Sequence, residues 1–600
     1  MKAPIRYRVS VLNPNQHLYG VTLEIDQPAA RQRVSLPVWI PGSYLVREFA
    51  QHLQRLRASS GGQPVALEQL DKNSWEARLP ADSKKAPLQL SYEVYAFDAS
   101  VRTAFLDAQR GFFNPTSLCL RVHEREQEPH ALELLDNAHT ADWQVATGLA
   151  PAKVDARGFG RYLAGDYDEL ADCPFELGRF WSGQFEVRGV PHRLVVSGAG
   201  DFANCEQLLG DTQRICETEI AFWHPDGSAP PFTSYLFLLH ASQDGYGGLE
   251  HRNSTALVCQ RSGLPRHNST QATTTRRQAS DGYTTLLGLI SHEYFHTWNV
   301  KRLRPREFKR YDYDRENYTE LLWFFEGFTS YYDDLLLLRA GLIDEAAYLQ
   351  LLAKTINQLL QTPGRQVQSV AQASFDAWVK YYRINENSPN ATVSYYGKGA
   401  LVALCLDLTL RAEGHSDLDA VMRALMQRCD AGPLRESDLL AVLKQLGRRR
   451  YDAELRDWVH GTGELPLAEL LQRHGLQWLQ EPEPLAQRLG LRVNESSGLT
   501  IKNVLRDTAA EAAGLAAGDE WLAVELPPTE QGAETQAWRV RKLDEVALYA
   551  SGRSALTALV SRDGRLLKCA LRWPEASYSI KLQKPAAATS AGSERRWLQK

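Results

Sequence analysis

The sequence predicts a multi-domain α+β protein, and three observations lead to that fold class. The chain has 600 residues, which is more than a single hydrophobic core usually supports. Apolar and polar residues alternate through residues 1–172, which is typical of strands. Apolar residues recur at helical spacing through residues 279–480, which is typical of packed helices. We therefore expect a β-rich N-terminal domain, a central domain that changes from strands to helices, and a small C-terminal domain.

The composition excludes several classes of protein. Hydrophobic residues make up 44% of the chain and charged residues 23%, which are ordinary values for globular domains. The net charge of −4 argues against nucleic-acid binding, which requires a basic surface. No apolar run approaches the ~20 residues that span a bilayer, and the N-terminus lacks the apolar segment of a secretory signal. The eight cysteines are scattered without a Cys-x-x-Cys pair, so we expect a cytoplasmic protein without a disulfide framework.

The N-terminal region, residues 1–172, predicts an antiparallel, sandwich-like β domain. Alternating segments occur at residues 7–12, 21–25, 34–38 and 88–94. The sequence Trp-Ile-Pro-Gly-Ser-Tyr at residues 39–44 predicts a turn after a strand. The region shows no constellation of catalytic side chains, so we expect it to pack against a catalytic unit.

The central domain, residues 173–480, begins with a strand-rich part at residues 173–278. A helix is predicted over residues 203–222, and strands are predicted near residues 185–187, 192–196 and 234–239.

A glycine-rich segment at residues 247–251 (Gly-Gly-Leu-Glu-His) follows the last of these strands. Gly247 and Gly248 beside a strand let another backbone approach closely, as a substrate chain pairing on a sheet edge would. Glu250 could then meet the positive end of that substrate. An ordinary glycine turn with a solvated glutamate is the alternative that the sequence leaves open.

The most informative stretch is the H-E-x-x-H sequence at residues 292–296. Residues four apart on a helix share a face, so His292 and His296 can both direct an imidazole at one metal ion. Glu293 projects beside them, within reach of a water on that metal. This is the arrangement of zinc hydrolases, in which a carboxylate takes the proton of the water. The stretch therefore indicates one Zn²⁺ per chain.

The surrounding residues favour a buried helix for this stretch. Ser280 or Asp281 can cap the helix, which is predicted to run to about residue 302 before Pro305 stops it. Buried histidines need partners, and metal ligation supplies them. The alternative is a pair of core histidines bonded to backbone, with Glu293 in a salt bridge. That alternative leaves three polar groups on an apolar helix without a purpose.

A second helix, predicted over residues 319–341, supplies the candidate third ligand. Glu326 stands among aromatic residues on its apolar face, where a carboxylate needs a cation. A zinc ion held by two histidines needs one more protein ligand, so the two requirements match. Glu320, Asp333 and Asp334 are rival ligands, but they lie near the cap or at more polar positions.

A tyrosine pair opens another apolar helix, predicted at residues 401–410. A hydroxyl of Tyr395 or Tyr396 near the zinc could hydrogen-bond the oxyanion that forms when water adds to a peptide carbonyl. Either tyrosine could instead simply pack, and the spacing does not choose between them.

Together these motifs resemble the gluzincin metallopeptidases, which include thermolysin and aminopeptidase N. Aminopeptidase N and its relatives carry Gly-x-Met-Glu-Asn, Asn-Glu-Gly-Phe and Tyr-x-Lys-Gly motifs. This chain carries Gly-Gly-Leu-Glu-His, Phe-Glu-Gly-Phe and Tyr-Gly-Lys-Gly in the same order. The chain is similar specifically to the glycyl aminopeptidase family. Three further features carry that resemblance: the sequence Thr-Trp-Asn-Val-Lys-Arg-Leu-Arg-Pro after His296, the Trp-Ile-Pro-Gly-Ser-Tyr turn and a C-terminal PDZ-like module. The resemblance covers most of the chain, about residues 1–580.

The resemblance implies a thermolysin-like central domain with zinc aminopeptidase activity. It implies that Glu250 binds the substrate amine, that Glu326 is the third zinc ligand, and that Tyr396 rather than Tyr395 holds the oxyanion. Two departures from the wider pattern leave details open. His251 replaces an asparagine of the aminopeptidase N loop, and a longer charged segment separates the second histidine from the third ligand.

The C-terminal region, residues 481–582, resembles bacterial PDZ domains. A strand at residues 497–504, a short helix with a glycine cap at residues 508–519 and a strand at residues 521–524 follow that order. The candidate loop for binding a terminal carboxylate is Leu489, Gly490 and Leu491. The alternative is a blocked groove in a module that only braces the enzyme. We expect the tail, residues 583–600, to be disordered.

The sequence thus predicts a zinc aminopeptidase that removes one residue at a time from peptides with a free N-terminus. The resemblance favours glycine or alanine as that residue. Two alternatives are a zinc endopeptidase with a cleft open at both ends, and a catalytically idle interaction protein. The expected partners are peptide substrates and, at the PDZ-like module, a peptide or protein C-terminus, with no nucleic acid and no membrane span.

Overall fold

The computed structural model describes residues 3–80, 86–267, 280–528, 534–585 and 597–598. The chain divides into two compact units. The first comprises residues 1–318, 332–343 and 423–438, and the second comprises residues 319–331, 344–422 and 439–600. The expected multi-domain α+β class is confirmed, with a large N-terminal β-sheet region and a helical region.

The strands of the first unit are β1 (Ile5–Asn13), β2 (Leu18–Ile25), β3 (Arg31–Ser35), β4 (Leu53–Ser60), β5 (Gln63–Gln69), β6 (Ser74–Arg78), β7 (Leu88–Tyr95), β8 (Ala104–Leu106), β9 (Arg110–Phe113), β10 (Arg121–Val122), β11 (His130–Leu135), β12 (Gln144–Thr147), β13 (Ala150–Val154), β14 (Gly160–Ala164), β15 (Phe175–Gly178), β16 (Trp181–Val187), β17 (Val190–Ser197), β18 (Tyr235–Ser242), β19 (Gly247–Glu250), β20 (Ser254–Gln260), β21 (Arg304–Pro305) and β22 (Pro433–Leu434). The strands of the second unit are β23 (Gln477–Pro482), β24 (Leu491–Asn494), β25 (Thr500–Val504), β26 (Glu520–Leu526), β27 (Gln536–Arg539), β28 (Ala555–Arg562), β29 (Arg565–Arg572) and β30 (Tyr578–Gln583).

The helices, in chain order, are α1 (Pro115–Leu118), α2 (Tyr167–Ala171), α3 (Cys205–Trp223), α4 (Asp281–Phe295), α5 (Leu322–Arg339), α6 (Glu345–Leu360), α7 (Val370–Phe375), α8 (Ser388–Ala391), α9 (Tyr395–Glu413), α10 (Leu418–Arg428), α11 (Glu436–Gly447), α12 (Asp452–Leu455), α13 (Leu467–Arg473), α14 (Leu485–Leu489), α15 (Ala509–Ala512) and α16 (Leu543–Tyr549). No helix in the described part of the chain is both long and apolar enough to cross a membrane.

An 11-stranded sheet dominates the N-terminal region, in the order β10-β3-β6-β5-β4-β7-β2-β1-β11-β14-β13. Neighbouring strands pair in antiparallel fashion, except that β1 and β11 run parallel. The alternation of β1 directs Ile5, Tyr7 and Val9 into the core, where each is 0% exposed. A 4-stranded sheet, β12-β15-β9-β8, accompanies the large sheet. The aromatic side chains Phe112 and Phe113 of β9 lie in the same hydrophobic core.

A mixed 5-stranded sheet follows, in the order β16-β17-β18-β20-β19. Strands β17, β18 and β20 run parallel and are buried almost throughout, which explains their continuous apolar sequences. Strand β19 pairs with β20 in antiparallel fashion and forms an edge of the sheet. Gly247, the first residue of β19, has a φ of +149°, a conformation that favours glycine.

Helix α4 begins as the sequence predicts and ends earlier. Ser280 caps it, because its Oγ accepts the N–H of Tyr283. The helix was expected to reach about residue 302, but it ends at Phe295, where the chain turns back on itself. The carbonyl of His296 accepts the N–H of Lys301 at 3.0 Å, and Val300 adopts a φ of +124°. A β-branched residue is strained in that conformation, so the turn is imposed by its surroundings.

The second unit contains most of the remaining helices. Helix α9 begins at its cap Ser394, whose Oγ accepts the N–H of Gly397, and it ends at Gly414, which has a φ of +73°. Its residues are buried on nearly all sides, as the apolar sequence indicates. Gly327 of α5 and Gly399 of α9 pack backbone against backbone, because a methyl group on Gly327 would lie 2.5 Å from the Cα of Gly399.

The C-terminal part of the second unit is a β-rich module with its own hydrophobic core. Its sheet has the order β24-β25-β26-β28-β29, and β27 pairs with β26. Strands β23 and β30 form a separate pair, and Asn357 of α6 binds the backbone of Ile580 in β30 through both side-chain atoms. Most of the tail predicted to be disordered lies outside the described residues. Of that tail, Trp597 is 0% exposed and stacks edge-on against Tyr348 of α6.

Candidate metal centre and peptide-binding edge

The imidazoles of His292 and His296 converge on one point at the end of α4. Their Nε2 atoms lie 3.0 Å apart, and the two rings are nearly perpendicular, at 86°. His296 is 1% exposed, so its ring is shielded from solvent. The four-residue spacing on one helix turn produces this convergence.

The hydrogen bonds at the opposite ring atoms fix the tautomers. Nδ1 of His296 donates to the carbonyl of Asn299 at 2.8 Å, and Nδ1 of His292 donates to the carboxylate of Asp333 at 3.0 Å. A neutral imidazole that donates from Nδ1 carries a lone pair at Nε2. Two lone pairs that face each other at 3.0 Å repel unless a cation lies between them. The pair therefore fits a metal ion, and Asn299 and Asp333 orient the rings as supporting partners of metal-bound histidines do.

The early end of α4 is what makes this support possible. Because the chain turns after Phe295, the carbonyl of Asn299 comes back to the ring of His296. Had the helix continued, that carbonyl would have pointed along the helix axis to a later N–H group.

Glu293 lies against the glycine-rich edge strand. A methyl group on Gly248 would lie 2.1 Å from Oε1 of Glu293, so the carboxylate rests directly on the Cα of this glycine. Glu293 is 5% exposed. The close approach explains why a glycine occupies this position of β19.

Glu250, at the end of β19, is a second buried carboxylate beside His296, together with Glu293. Single ligand atoms of Glu250, Glu293 and His296 all lie within 4.8 Å of one another. Glu250 is 4% exposed, and its carboxylate rests on Gly42 of the N-terminal region. A methyl group on Gly42 would lie 2.6 and 2.7 Å from the two carboxylate oxygens, and Gly42 has a φ of +97°. The turn at residues 39–44, in which the sequence shows no catalytic role, thus shapes the site.

A buried ion network holds the end of β19 behind Glu250. Nζ of Lys301 lies 2.7 Å from Asp172, and the same carboxylate accepts from Nδ1 of His251 and from the N–H of Arg252. Although burial alone would raise it, the pKa of Asp172 is held below its usual value by Lys301, His251 and Arg252. His251 therefore serves as a partner of Asp172, which accounts for a histidine after Glu250.

The free edge of β19 carries backbone groups that do not face β20. The N–H of His251 donates to the carbonyl of Ser254 at the hairpin, so this pair belongs to the hydrogen-bonded set. Antiparallel pairs alternate, which turns the N–H and carbonyl groups of Glu250 and Gly248 away from β20. The outward carbonyl of Gly248 accepts from Nη2 of Arg102 at 3.2 Å.

Helix α5 carries both Asp333 and Glu326. Seven residues make just under two helical turns, so these carboxylates project from the same side of α5, about 10 Å apart along its axis. Glu326 is 2% exposed among aromatic residues, as the sequence indicates. Asp333, a rival ligand in the sequence, instead supports His292.

The tyrosine pair at the start of α9 stacks with a third tyrosine. The rings of Tyr395 and Tyr396 lie 4.7 Å apart, and Tyr381 lies 5.4 Å from Tyr396. Burial raises the pKa of Tyr396 well above its usual value, and the charge of Glu326 adds to this rise. Tyr396 therefore keeps its O–H as a hydrogen-bond donor.

The three residues of the candidate carboxylate loop lie at the entrance to β24. Leu489 ends α14, Gly490 has a φ of +75°, and Leu491 begins β24, which is an edge strand of its sheet. The N–H of Gly490 donates to Gln487, and its carbonyl accepts from Leu505. The backbone N–H of Gly490 is thus already engaged.

Sequence reasoning missed the residues that support the site from a distance. Gly42, Arg102 and Asp172 come from the N-terminal region, and only their contacts with β19 and its hairpin reveal a role. Asn299 acts through its backbone, so no pattern of side chains could have shown it. The one available signal in the sequence was the Pro-Gly pair at residues 41–42, which is typical of a turn with a positive φ at the glycine.

Two family sequence profiles match the chain. The profile of the peptidase M61 N-terminal domain matches residues 6–179, and that of M61 glycyl aminopeptidase matches residues 285–402. The second match contains the H-E-x-x-H stretch, Glu326 and Tyr396.

Among solved structures, the chain is similar to an aminopeptidase N family protein from Idiomarina loihiensis. The two are 35% identical, with a TM-score of 0.90, over 99% of this chain and 100% of that one. A more distant likeness is to the M1 zinc metallopeptidase from Deinococcus radiodurans, at 16% identity and a TM-score of 0.46, over 77% of this chain and 94% of that one. A search of curated proteins gave no match.

Proposed function

The chain belongs to the M61 glycyl aminopeptidase family of peptidases, and from that premise we propose that it is a zinc-dependent aminopeptidase. It would hydrolyse the N-terminal residue, glycine or alanine, from peptides. The observation that carries the proposal is the convergence of the Nε2 atoms of His292 and His296 beside Glu293 and Glu250.

The proposed zinc ligands are His292, His296 and Glu326, a set of residues that could hold one metal ion. Two neutral imidazoles and a carboxylate form a donor set suited to catalytic zinc. The register of Glu326 with Asp333 on α5 supports its choice over Glu320. Zinc held by these residues would supply a Lewis acid that lowers the pKa of a water to about 7 and polarises the scissile carbonyl.

Glu293 is the proposed general base. Its carboxylate takes a proton from the attacking water and passes it to the leaving amine. The close contact between Gly248 and the carboxylate of Glu293 supports this role, because it limits where the carboxylate can lie. Tyr396 is the proposed oxyanion donor, and the loss of one such donor typically costs ~10²–10³ in rate.

Glu250 is the proposed site for the substrate's α-ammonium. Its buried carboxylate lies within 4.8 Å of the Glu293 and His296 ligand atoms. An amine bound there would belong to the same residue as the scissile carbonyl. Gly248, whose backbone groups face outward, would pair with the substrate backbone along the free edge of β19, and Gly247 would let that chain approach closely. This arrangement favours removal of one residue at a time.

We also propose that residues 481–582 form a PDZ-like module that binds a peptide or protein C-terminus. The edge strand β24 and the left-handed Gly490 support this assignment. The engaged N–H of Gly490 instead favours a module that braces the enzyme. Binding at this module and the cytoplasmic location stay predictions from the sequence.

The decisive experiment compares free and N-acetylated alanyl and glycyl substrates, with and without a chelator. We expect cleavage of the free substrates only, loss of activity with chelator and recovery on adding Zn²⁺. Equal cleavage of acetylated substrates would establish an endopeptidase instead. No hydrolysis by the zinc-loaded protein would leave the interaction protein as the function.

The variant Glu250→Ala sharpens this comparison. It should lower kcat/KM for free-amine substrates far more than any residual cleavage of acetylated ones, because only the former use the carboxylate.

A further inference from the structure

The guanidinium of Arg102 lies on the free edge of β19. Its Nη2 donates to the outward carbonyl of Gly248 at 3.2 Å, and its Nε is buried without a hydrogen-bond partner among the described residues. No carboxylate in the described part of the chain pairs with Arg102. A methyl group on Gly247 would lie 3.4 Å from its Nη1. The guanidinium therefore lies along the first half of β19.

A peptide bound along β19 would have the residues after the scissile bond next to Arg102. A substrate that pairs with β19 runs antiparallel to it, because its amine is anchored by Glu250 at the C-terminal end of the strand. The chain beyond the scissile bond then passes Gly248 and Gly247. Two residues of β-strand span about 6.6 Å, which is also the length of a dipeptide from its amine toward its carboxylate.

We propose that Arg102 binds a substrate carboxylate on the leaving side of the scissile bond. The preferred substrates are then short peptides, above all dipeptides, whose second residue carries a free carboxylate. This inference rests on the proposed aminopeptidase function, and it goes beyond it by assigning a specificity-determining residue from the N-terminal region. An acidic side chain at the second position of a longer peptide offers the same chemistry.

The contact with Gly248 also limits pairing along the strand. A full antiparallel partner needs both the N–H and the carbonyl of Gly248, and Arg102 already donates to that carbonyl. The N–H of a long peptide must therefore share this oxygen with the guanidinium, which weakens the backbone hydrogen bond at this position. A dipeptide gives up less, because its carboxylate receives a charge-assisted hydrogen bond from the guanidinium instead.

The test measures kcat/KM of the zinc-loaded full chain for four substrates. They are Ala-Ala, Ala-Ala-amide, Ala-Asp-amide and alanine 4-nitroanilide, compared in wild type, Arg102→Gln and Arg102→Lys. The exposed Arg55, which pairs with Glu93 on the N-terminal sheet, provides the control variant Arg55→Gln. The melting temperature of each variant reports whether the fold is intact.

We expect wild type to favour Ala-Ala over Ala-Ala-amide by ten-fold or more. Arg102→Gln should lower kcat/KM for Ala-Ala through KM at least ten-fold more than for alanine 4-nitroanilide, and Arg102→Lys should restore part of the preference. A preference for Ala-Asp-amide over Ala-Ala-amide that Arg102→Gln removes would show that Arg102 also binds a side-chain carboxylate at the second position.

Equal losses on all four substrates in Arg102→Gln would overturn the inference, since a residue that only braces β19 affects them alike. A wild type that hydrolyses alanine 4-nitroanilide without preferring the free acid would do the same, while leaving the proposed function standing. A zinc-loaded wild type that hydrolyses none of the four contradicts the proposed function itself.

Discussion

At the scale of single residues, the site is defined by which atom of each side chain carries a proton. Asn299 and Asp333 accept from the Nδ1 atoms of the two histidines, and this directs both Nε2 lone pairs at one point. Burial raises the pKa of Tyr396, so its hydroxyl stays protonated and remains a hydrogen-bond donor. Each of these assignments depends on a neighbour that the residue's own position in the sequence does not disclose.

The first prediction distinguishes the proposed general base, Glu293, from the proposed third zinc ligand, Glu326. Glu293→Gln should retain zinc and lose activity by several orders of magnitude, because the amide cannot accept the proton of the water. Glu326→Ala should lose both zinc and activity. Metal content by atomic spectroscopy and kcat are the measurements. Glu320→Ala, at an exposed glutamate just before α5, is the matched control and should change neither. Retained zinc with normal turnover in Glu326→Ala would refute the choice of third ligand.

At the scale of elements, the edge strand β19 joins the parts of the site. Gly248 contacts Glu293, and its carbonyl accepts a hydrogen bond from Arg102. Glu250 contacts Gly42. A strand positions these groups with the fixed alternation of its backbone, which a flexible loop would not provide.

The second prediction concerns the contact between this strand and the base. Gly248→Ala adds a methyl group 2.1 Å from Oε1 of Glu293, so the carboxylate must move. Because a displacement of about 1 Å can cost ~10² in rate, we expect kcat to fall about 100-fold with zinc content unchanged. Gly210→Ala in α3, where no atom of the described residues lies within 4 Å of the added methyl, is the control and should keep full activity. Full activity in Gly248→Ala would show that Glu293 does not depend on this contact.

Helix α4 shows how far local signals carry at this scale. Its cap at Ser280 follows from the sequence, and so does the shared face of the two histidines. Its end at Phe295 does not, because Trp298 and the residues around it keep a helical pattern while tertiary contacts turn the chain. Lys301 reaches Asp172 through that turn, so the contact at the end of α4 joins two residues far apart in the sequence.

At the scale of the whole molecule, the proposed zinc ion couples binding to folding. Its proposed ligands lie in α4, directly after α4 and in α5, and a metal that binds only the folded chain stabilises it by about 4 kcal/mol when its concentration is 1,000 times Kd. The site is therefore expected to contribute to the stability of the protein as well as to its chemistry.

The third prediction measures that coupling. Removing the metal with a chelator should lower the melting temperature by several degrees, and adding Zn²⁺ should restore it. Differential scanning calorimetry of wild type with and without chelator is the measurement. His292→Ala is the control, and its melting temperature should no longer respond to either addition. An unchanged melting temperature in wild type, with metal loss verified, would argue against a buried zinc site.

The sequence by itself determined the features that depend on short spacing. Residues four apart on a helix must share a face, and alternating residues on a strand must face opposite sides, so the histidine pair and the β-rich N-terminal region follow from local geometry. Only the tertiary structure decided what lies against them: Gly42 under Glu250, Arg102 on Gly248 and Asp172 beneath the hairpin. Such contacts join residues far apart in the chain, and they are fixed by how sheets and helices pack rather than by any pattern within one segment.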